Sequence, residues 1–278
     1  MQFSQQFRGF GDSWKNCLHS VRQGRAFLIF FLYAAAQLSV LFMLMNYAYE
    51  PFSPFLVPLI ERAYGESALH YPNNFLALPS LFNWASIILS GFVGVSVVAT
   101  ATGLFASIYK EKQLQLGRSF KQSLPKYFIL LVVWLIETMV LLAVFALIPQ
   151  VMLKLQVYSN LVLHGATFAV SVFFGGLFAY TTANIILAQE GILPAIRKSF
   201  SLFIKSPLVT MLLIAIPNLL RFPLDFLSGK PLLIIDKFNP EIVGVVIGLS
   251  ILVSVFSNYF MIGTITRFFL IAKEQRVI

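Results

Sequence analysis

Long hydrophobic stretches alternate with short polar segments along the whole chain. Six of these stretches approach the roughly twenty apolar residues that a membrane-spanning helix requires. They lie at 26–48, 82–108, 127–149, 160–188, 207–221 and 242–271. The pattern predicts an all-α, polytopic membrane protein whose six transmembrane helices form three hairpins.

Two regions depart from this simple alternation. Pro217 and Asn218 interrupt the fifth stretch, so we expect its helix to be kinked or to end early, with residues 222–238 lying at the outer membrane interface. Residues 49–80 are rich in proline and also in apolar side chains. We expect this segment to form a cap on the outer membrane surface, since a free tether would be more polar.

Basic segments with helical periodicity precede the first, third and fifth stretches. Each carries the same short motif, a serine followed by an aromatic residue: Ser13-Trp14, Ser119-Phe120 and Ser199-Phe200. Lys and Arg lie on one face of each segment, and aromatic and aliphatic residues lie on the other. Such a pattern is typical of helices in the lipid headgroup region. It predicts an amphipathic interfacial helix before each hairpin, the first within residues 1–25.

Composition supports the same fold class. The chain is 58% hydrophobic and 11% charged, whereas soluble domains are about one quarter charged. This excludes a soluble globule and indicates a single integral membrane domain over residues 1–278. The apolar stretch after Arg25 continues well past Ala34–Ala36, so we interpret it as a retained helix and not as a cleaved signal peptide.

The formal net charge of +9 is unevenly distributed. Segments on the side of the N-terminus carry 15 Lys and Arg residues, against five in the loops on the opposite side. The positive-inside rule therefore predicts that both termini are cytoplasmic. Because topology explains the basic charge, it does not call for a nucleic-acid partner.

Glu137 is the one acidic residue deep within a hydrophobic stretch. A charge at the bilayer centre costs about 2.5–3.5 kcal/mol on insertion scales. Other polar side chains occur at similar depth: Gln37, Ser96, Ser171, Ser257 and Asn258. Two interpretations are open. The residues form a proton- or ligand-responsive site, or Glu137 is protonated and its hydrogen bonds to neighbouring helices fix their packing.

Residues typical of catalysis are scattered. The histidines His19, His70 and His164 do not stand at a metal-ligand spacing, and the single Cys17 excludes an internal disulfide. The remaining acidic residues do not pair at catalytic spacing, and no phosphate-binding loop is present. We therefore expect no catalytic residues, metal or cofactor, and a protein that is not an enzyme.

The segment Gly191–Phe200, which includes Pro194, Ala195 and two basic residues before Ser199, resembles a pattern found in YciC-like bacterial inner-membrane proteins. It is also similar to the membrane domain of some glycerophosphodiester phosphodiesterases. A comparable segment over residues 115–128 precedes the third stretch. The resemblance implies six spans and a bacterial inner-membrane location. It does not extend to the phosphodiesterase catalytic domain, so that activity is not expected.

These features favour a non-enzymatic protein that organises lipid or a membrane partner through a basic cytoplasmic surface. The residues expected to contact anionic lipid or the partner are Arg118, Lys121, Arg197, Lys198 and Lys205. The alternative is a transporter or the permease subunit of an ABC-type exporter, because such permeases also have an amphipathic helix before the first span. That alternative requires a separate ATPase as partner.

Overall fold

The computed structural model describes residues 3–22, 24–110, 116–154 and 160–275. The structure is 88% helical, and the described residues contain no strand. In chain order the helices are α1 (Phe3–Ser20), α2 (Leu28–Met45), α3 (Ser53–Tyr64), α4 (Asn73–Leu89), α5 (Val95–Tyr109), α6 (Leu116–Ser123), α7 (Tyr127–Lys154), α8 (Asn160–Phe178), α9 (Thr181–Leu187), α10 (Ile192–Lys205), α11 (Pro207–Leu219), α12 (Phe222–Ser228), α13 (Pro231–Lys237) and α14 (Ile242–Glu274). Lys112 and Arg276, counted in the charge asymmetry, lie outside the described residues.

Five helical segments of the described chain are long and apolar enough to cross a membrane. They are Leu28–Met45, Asn73–Tyr109, Leu116–Ile148, Gly165–Leu187 and Ile242–Glu274. A sixth crossing results if α10 and α11 together form one span. The chain is thus an all-helical protein with five or six candidate spans, and the arrangement as three hairpins stays a prediction.

The fifth predicted stretch is the one that differs most from a straight span. Helix α11 has 13 residues, a length of about 20 Å, which is short of the roughly 30 Å hydrocarbon core. It meets α10 at an angle of 99°. Pro217 lies inside α11, which ends two residues later at Leu219, so the expectation of an early end is confirmed.

The basic segment before the third stretch is helical but is not set off by a bend. Helices α6 and α7 form one segment of 33 residues, Leu116–Ile148, where the sequence predicts a separate interfacial helix. Pro125 lies in the short turn that joins them. Proline is tolerated in the first turn of a helix because the N–H it lacks has no partner there. The chain therefore passes into α7 without turning sharply.

The predicted outer cap is also more helical than expected. Helix α3 occupies much of it, and Pro54 stands in the first turn of that helix. The second span begins at Asn73, earlier than the predicted residue 82, and runs through Pro79 and a π-helical turn at Ser90–Gly94. The predicted boundary at residue 82 was wrong, because α4 continues through Pro79 without ending there.

The chain divides into two compact units. The larger unit comprises residues 1–29, 91–218 and 258–278, and the smaller comprises 30–90 and 219–257. In the larger unit, buried side chains of α5, α8 to α11 and α14 form a core that includes Leu213 and Phe268, together with Tyr180 from the connection between α8 and α9. In the smaller unit, Tyr47 and Ile60 belong to a separate core.

Small residues allow the basic helices to pack closely within the larger unit. The motif serines Ser13, Ser119 and Ser199 are all buried. On α1, Cys17 follows Ser13 by one helical turn and faces Gly263 of α14, where an added Cβ would lie 2.6 Å from the Cys17 Sγ. On α6, Ser119 faces Gly103 of α5, where an added Cβ would lie 3.6 Å from the Ser119 Cβ.

These two glycines give opposite expectations. At Gly263 the methyl group of alanine would overlap Cys17 and approach a ring carbon of Phe105 at 3.0 Å. Overpacking of this kind costs about 1–3 kcal/mol. We therefore expect Gly263→Ala to lower the melting temperature of the detergent-solubilised protein.

Gly103→Ala is the matched control, because its methyl group meets Ser119 at an ordinary contact distance. Alanine is the better helix former by about 1 kcal/mol, so this variant should melt at the wild-type temperature or above it. Equal melting temperatures for the two variants would contradict the close packing of α1 on α14.

Candidate functional site

Glu137 lies on the wall of a cavity inside the larger unit. The cavity has a volume of about 220 Å³, and its wall is formed by α5, α7, α8, α9, α11 and α14 with the connection between α8 and α9. Three threonines share the wall with Glu137: Thr102, Thr182 and Thr266. The remaining wall is apolar and includes Phe178, Ile214, Met261, Ile262 and Ile265.

The other polar residues predicted to join Glu137 do not line this cavity. Ser96, Ser171 and Asn258 belong to the same unit but are not part of the wall, while Gln37 and Ser257 belong to the smaller unit. Ser171 donates a hydrogen bond to the Thr167 carbonyl of its own helix at 2.7 Å. The buried Gln37 Oε1 and Ser257 Oγ have no hydrogen-bond partner in the described structure.

Sequence reasoning did not select the three threonines. Threonine is common in membrane helices, where its hydroxyl usually bonds the carbonyl one turn before it. Thr102 follows this rule and donates to the Val98 carbonyl at 2.8 Å. The sequence does show that each threonine stands within a predicted span, but which side of a helix faces a cavity is set by its neighbours.

Glu137 has a half-buried side chain. Within the described residues no hydrogen bond or ion pair involves its carboxyl group, and none of the wall residues is basic. An unpaired carboxylate in an apolar setting is costly. The cavity thus contains one ionisable group, the Glu137 carboxyl, and its wall has no basic side chain to balance a negative charge there.

The five basic candidates lie on two helices of the larger unit. Arg118 and Lys121 are exposed on α6, and Arg197, Lys198 and Lys205 are exposed on α10. Lys198 forms an ion pair with Glu190, so its charge is already balanced.

Large apolar side chains are exposed beside these basic residues. On α10, Leu193 and Ile204 are 79% and 72% exposed, and Phe120 on α6 and Leu124 just after that helix are also exposed. The same helices bury their motif serines, Ser119 and Ser199. Each helix therefore packs one side against the protein and exposes basic and apolar side chains on the other. Such a surface suits the boundary between lipid headgroups and acyl chains.

The aromatic residues of the repeated motif have different environments. The Trp14 ring lies 5.9 Å from the Phe260 ring, and the Phe200 ring lies 5.3 Å from the Phe178 ring. Phe120 is exposed. The serine of the motif is thus buried in all three copies, whereas its aromatic neighbour is not.

Ser199 closes a break between α8 and α9. Its hydroxyl donates to the Leu177 carbonyl at 2.6 Å and accepts the Tyr180 N–H at 3.1 Å. Helix α8 ends at Phe178 and α9 begins at Thr181, so both backbone groups would otherwise lack a helical partner. One side chain therefore holds the broken helix and fixes α10 against it.

No group of three His, Cys, Asp or Glu side chains in the described part of the chain is placed to hold a metal ion. The side chain of His164 lies outside the described residues. Cys17 is buried, and its burial raises the pKa of the thiol to about 12.

No protein-family model, curated protein or solved structure matches this chain. The resemblance to YciC-like proteins accordingly stays a prediction from the Gly191–Phe200 segment.

Replacing Ser199 by alanine should destabilise the break between α8 and α9. Leaving a buried donor or acceptor without a partner costs about 1–3 kcal/mol. We expect Ser199→Ala to lower the melting temperature and to speed hydrogen exchange at the Tyr180 amide, measured by mass spectrometry.

Ser13→Ala is the control, because Ser13 is equally buried but donates only to the Gly9 carbonyl of its own helix. It should cost less than about 1 kcal/mol and leave exchange at Tyr180 unchanged. A Tyr180 amide that exchanges equally slowly in Ser199→Ala and wild type would refute the bridging role.

The burial and raised pKa of the Cys17 thiol predict that it reacts slowly. A thiol with a raised pKa stays protonated at pH 8, and only the thiolate reacts readily. We expect slow maleimide labelling of the folded protein and complete labelling after denaturation in dodecyl sulfate. Ser4 is exposed on the same helix, so Ser4→Cys in a Cys17→Ser background should label rapidly without denaturant.

Proposed function

We propose that this protein is a non-enzymatic integral protein of a bacterial inner membrane that retains anionic phospholipid at the cytoplasmic surface. Helices α6 and α10 supply the binding surface, and the N-terminal helix α1 adds a third basic segment. Both termini are cytoplasmic in this proposal, in accord with the distribution of Lys and Arg.

One observation carries the proposal: helices α6 and α10 bury the serine of the repeated motif and expose cations together with large apolar side chains. Arg197 lies on α10 with Leu193 and Ile204, all three exposed. A guanidinium group binds lipid phosphate in a bidentate manner, and the neighbouring aliphatic side chains enter the acyl region. A purely solvated charged face would not need exposed side chains of this size.

The two helices present this surface in different ways. Helix α10 turns by 99° into α11, which suits a helix lying along the membrane plane. Helix α6 continues into α7, and the combined 33-residue segment extends about 50 Å, well beyond a hydrocarbon core of about 30 Å. Arg118 and Lys121 near its start therefore reach the headgroup layer.

The test is to count the lipids that the purified protein retains. Each basic residue near an anionic surface contributes about 1 kcal/mol, so replacing Arg118, Lys121 and Arg197 by glutamine should weaken phosphatidylglycerol binding about 100-fold. Native mass spectrometry in mixed phosphatidylglycerol and phosphatidylcholine nanodiscs measures the bound species. Lys198→Gln alone should have a smaller effect, because Lys198 is paired with Glu190.

The control variant removes the same charge elsewhere, through Arg62→Gln, Lys230→Gln and Lys237→Gln. It should retain phosphatidylglycerol as the wild type does. Equal loss of lipid in both triple variants would show that net charge, and not this surface, governs retention. That result would overturn the proposal.

A further inference from the structure

The cavity beside Glu137 has a composition that points to a particular kind of ligand. Its wall combines one carboxyl group with three threonine hydroxyl groups and otherwise apolar side chains. We propose that it binds a small organic cation, an ammonium group attached to an apolar body. This inference does not depend on the lipid surface of α6 and α10.

The charge of the ligand follows from Glu137. The wall contains an acidic side chain and no basic one, and the described residues offer Glu137 no ion pair. A bound ammonium group supplies the missing counter-charge. It also forms charge-assisted hydrogen bonds, which are about twice as strong as neutral ones.

The hydrogen-bonding character of the ligand follows from Thr102. Its hydroxyl hydrogen is already donated to the Val98 carbonyl at 2.8 Å, so its oxygen is left as an acceptor. An ammonium group has N–H donors for both this oxygen and the carboxylate. An anion or a simple carbonyl compound has no hydrogen to donate to either of these two acceptors.

The size and shape of the ligand follow from the remaining wall. A volume of about 220 Å³ is below the roughly 300 Å³ at which typical drug-sized pockets begin, so the ligand is small. Phe178, Ile214 and Ile262 offer apolar contact to its body. A hard metal ion would gain little here, because Ca²⁺ takes six to eight oxygen ligands and Mg²⁺ takes six and much of this wall is hydrocarbon.

Gly175 provides a way to close the cavity without touching its carboxyl group. It belongs to the wall, and a Cβ added there would meet no atom within 4 Å. The side chain of Gly175→Leu would therefore extend into the open space. This variant tests occupancy even if a change at Glu137 impairs folding.

The experiment is calorimetric titration of the protein in phosphatidylcholine nanodiscs with hexylammonium, after subtraction of partitioning into empty nanodiscs. We expect saturable binding at one site in the wild type. Glu137→Gln should weaken it about 10- to 100-fold, as expected for loss of a hydrogen bond to a charged group, and Gly175→Leu should abolish it. Glu241→Gln removes an exposed carboxylate outside the cavity and should bind as the wild type does.

1-Hexanol has the same chain without the charge and should bind far more weakly than hexylammonium. The proposal is overturned if 1-hexanol binds equally well, if Glu137→Gln or Gly175→Leu binds hexylammonium as tightly as the wild type, or if the wild type shows no saturable binding. The first of these outcomes would mark the cavity as a purely apolar site. The last would make Glu137 a protonated packing residue.

Discussion

The backbone of a membrane-embedded chain must satisfy its own hydrogen bonds, because hydrocarbon offers no alternative partner. This constraint produces the helices of this protein and also governs where they can break. Between α8 and α9, the Leu177 carbonyl and the Tyr180 N–H are satisfied by the Ser199 hydroxyl. A break is thus permitted where another helix supplies the missing donor and acceptor.

The hydrogen bonds of Ser199 to Leu177 and Tyr180 also fix the orientation of α10. Once Ser199 is buried at the break, residues on the opposite side of that helix, such as Arg197 and Leu193, are exposed. Helices α1 and α6 are also packed on one side through small residues, because Cys17 contacts Gly263 and Ser119 contacts Gly103. Close packing of small residues is a main source of helix association where lipid and protein are equally apolar. The basic surface follows from the burial of these small residues.

The α8–α9 break also lies beside the cavity. Phe178 at the end of α8 and Thr182 at the start of α9 both belong to its wall, as does Glu137 from α7. An irregular backbone next to an internal space is the usual circumstance in which membrane proteins tolerate broken helices. Glu137 faces this space together with the three threonines of the wall.

The sequence alone determined where most helices lie. Helix α2 (Leu28–Met45) falls within the predicted stretch 26–48, and α14 (Ile242–Glu274) begins at the predicted residue. These predictions succeed because helix hydrogen bonds are local and an apolar run of this length has few other stable forms. The tertiary structure decided the 99° turn between α10 and α11, the continuity of α6 with α7, and the threonines that accompany Glu137. Hydropathy cannot specify these features, because residues facing lipid and residues facing the protein interior are equally apolar, and only packing between helices distinguishes them.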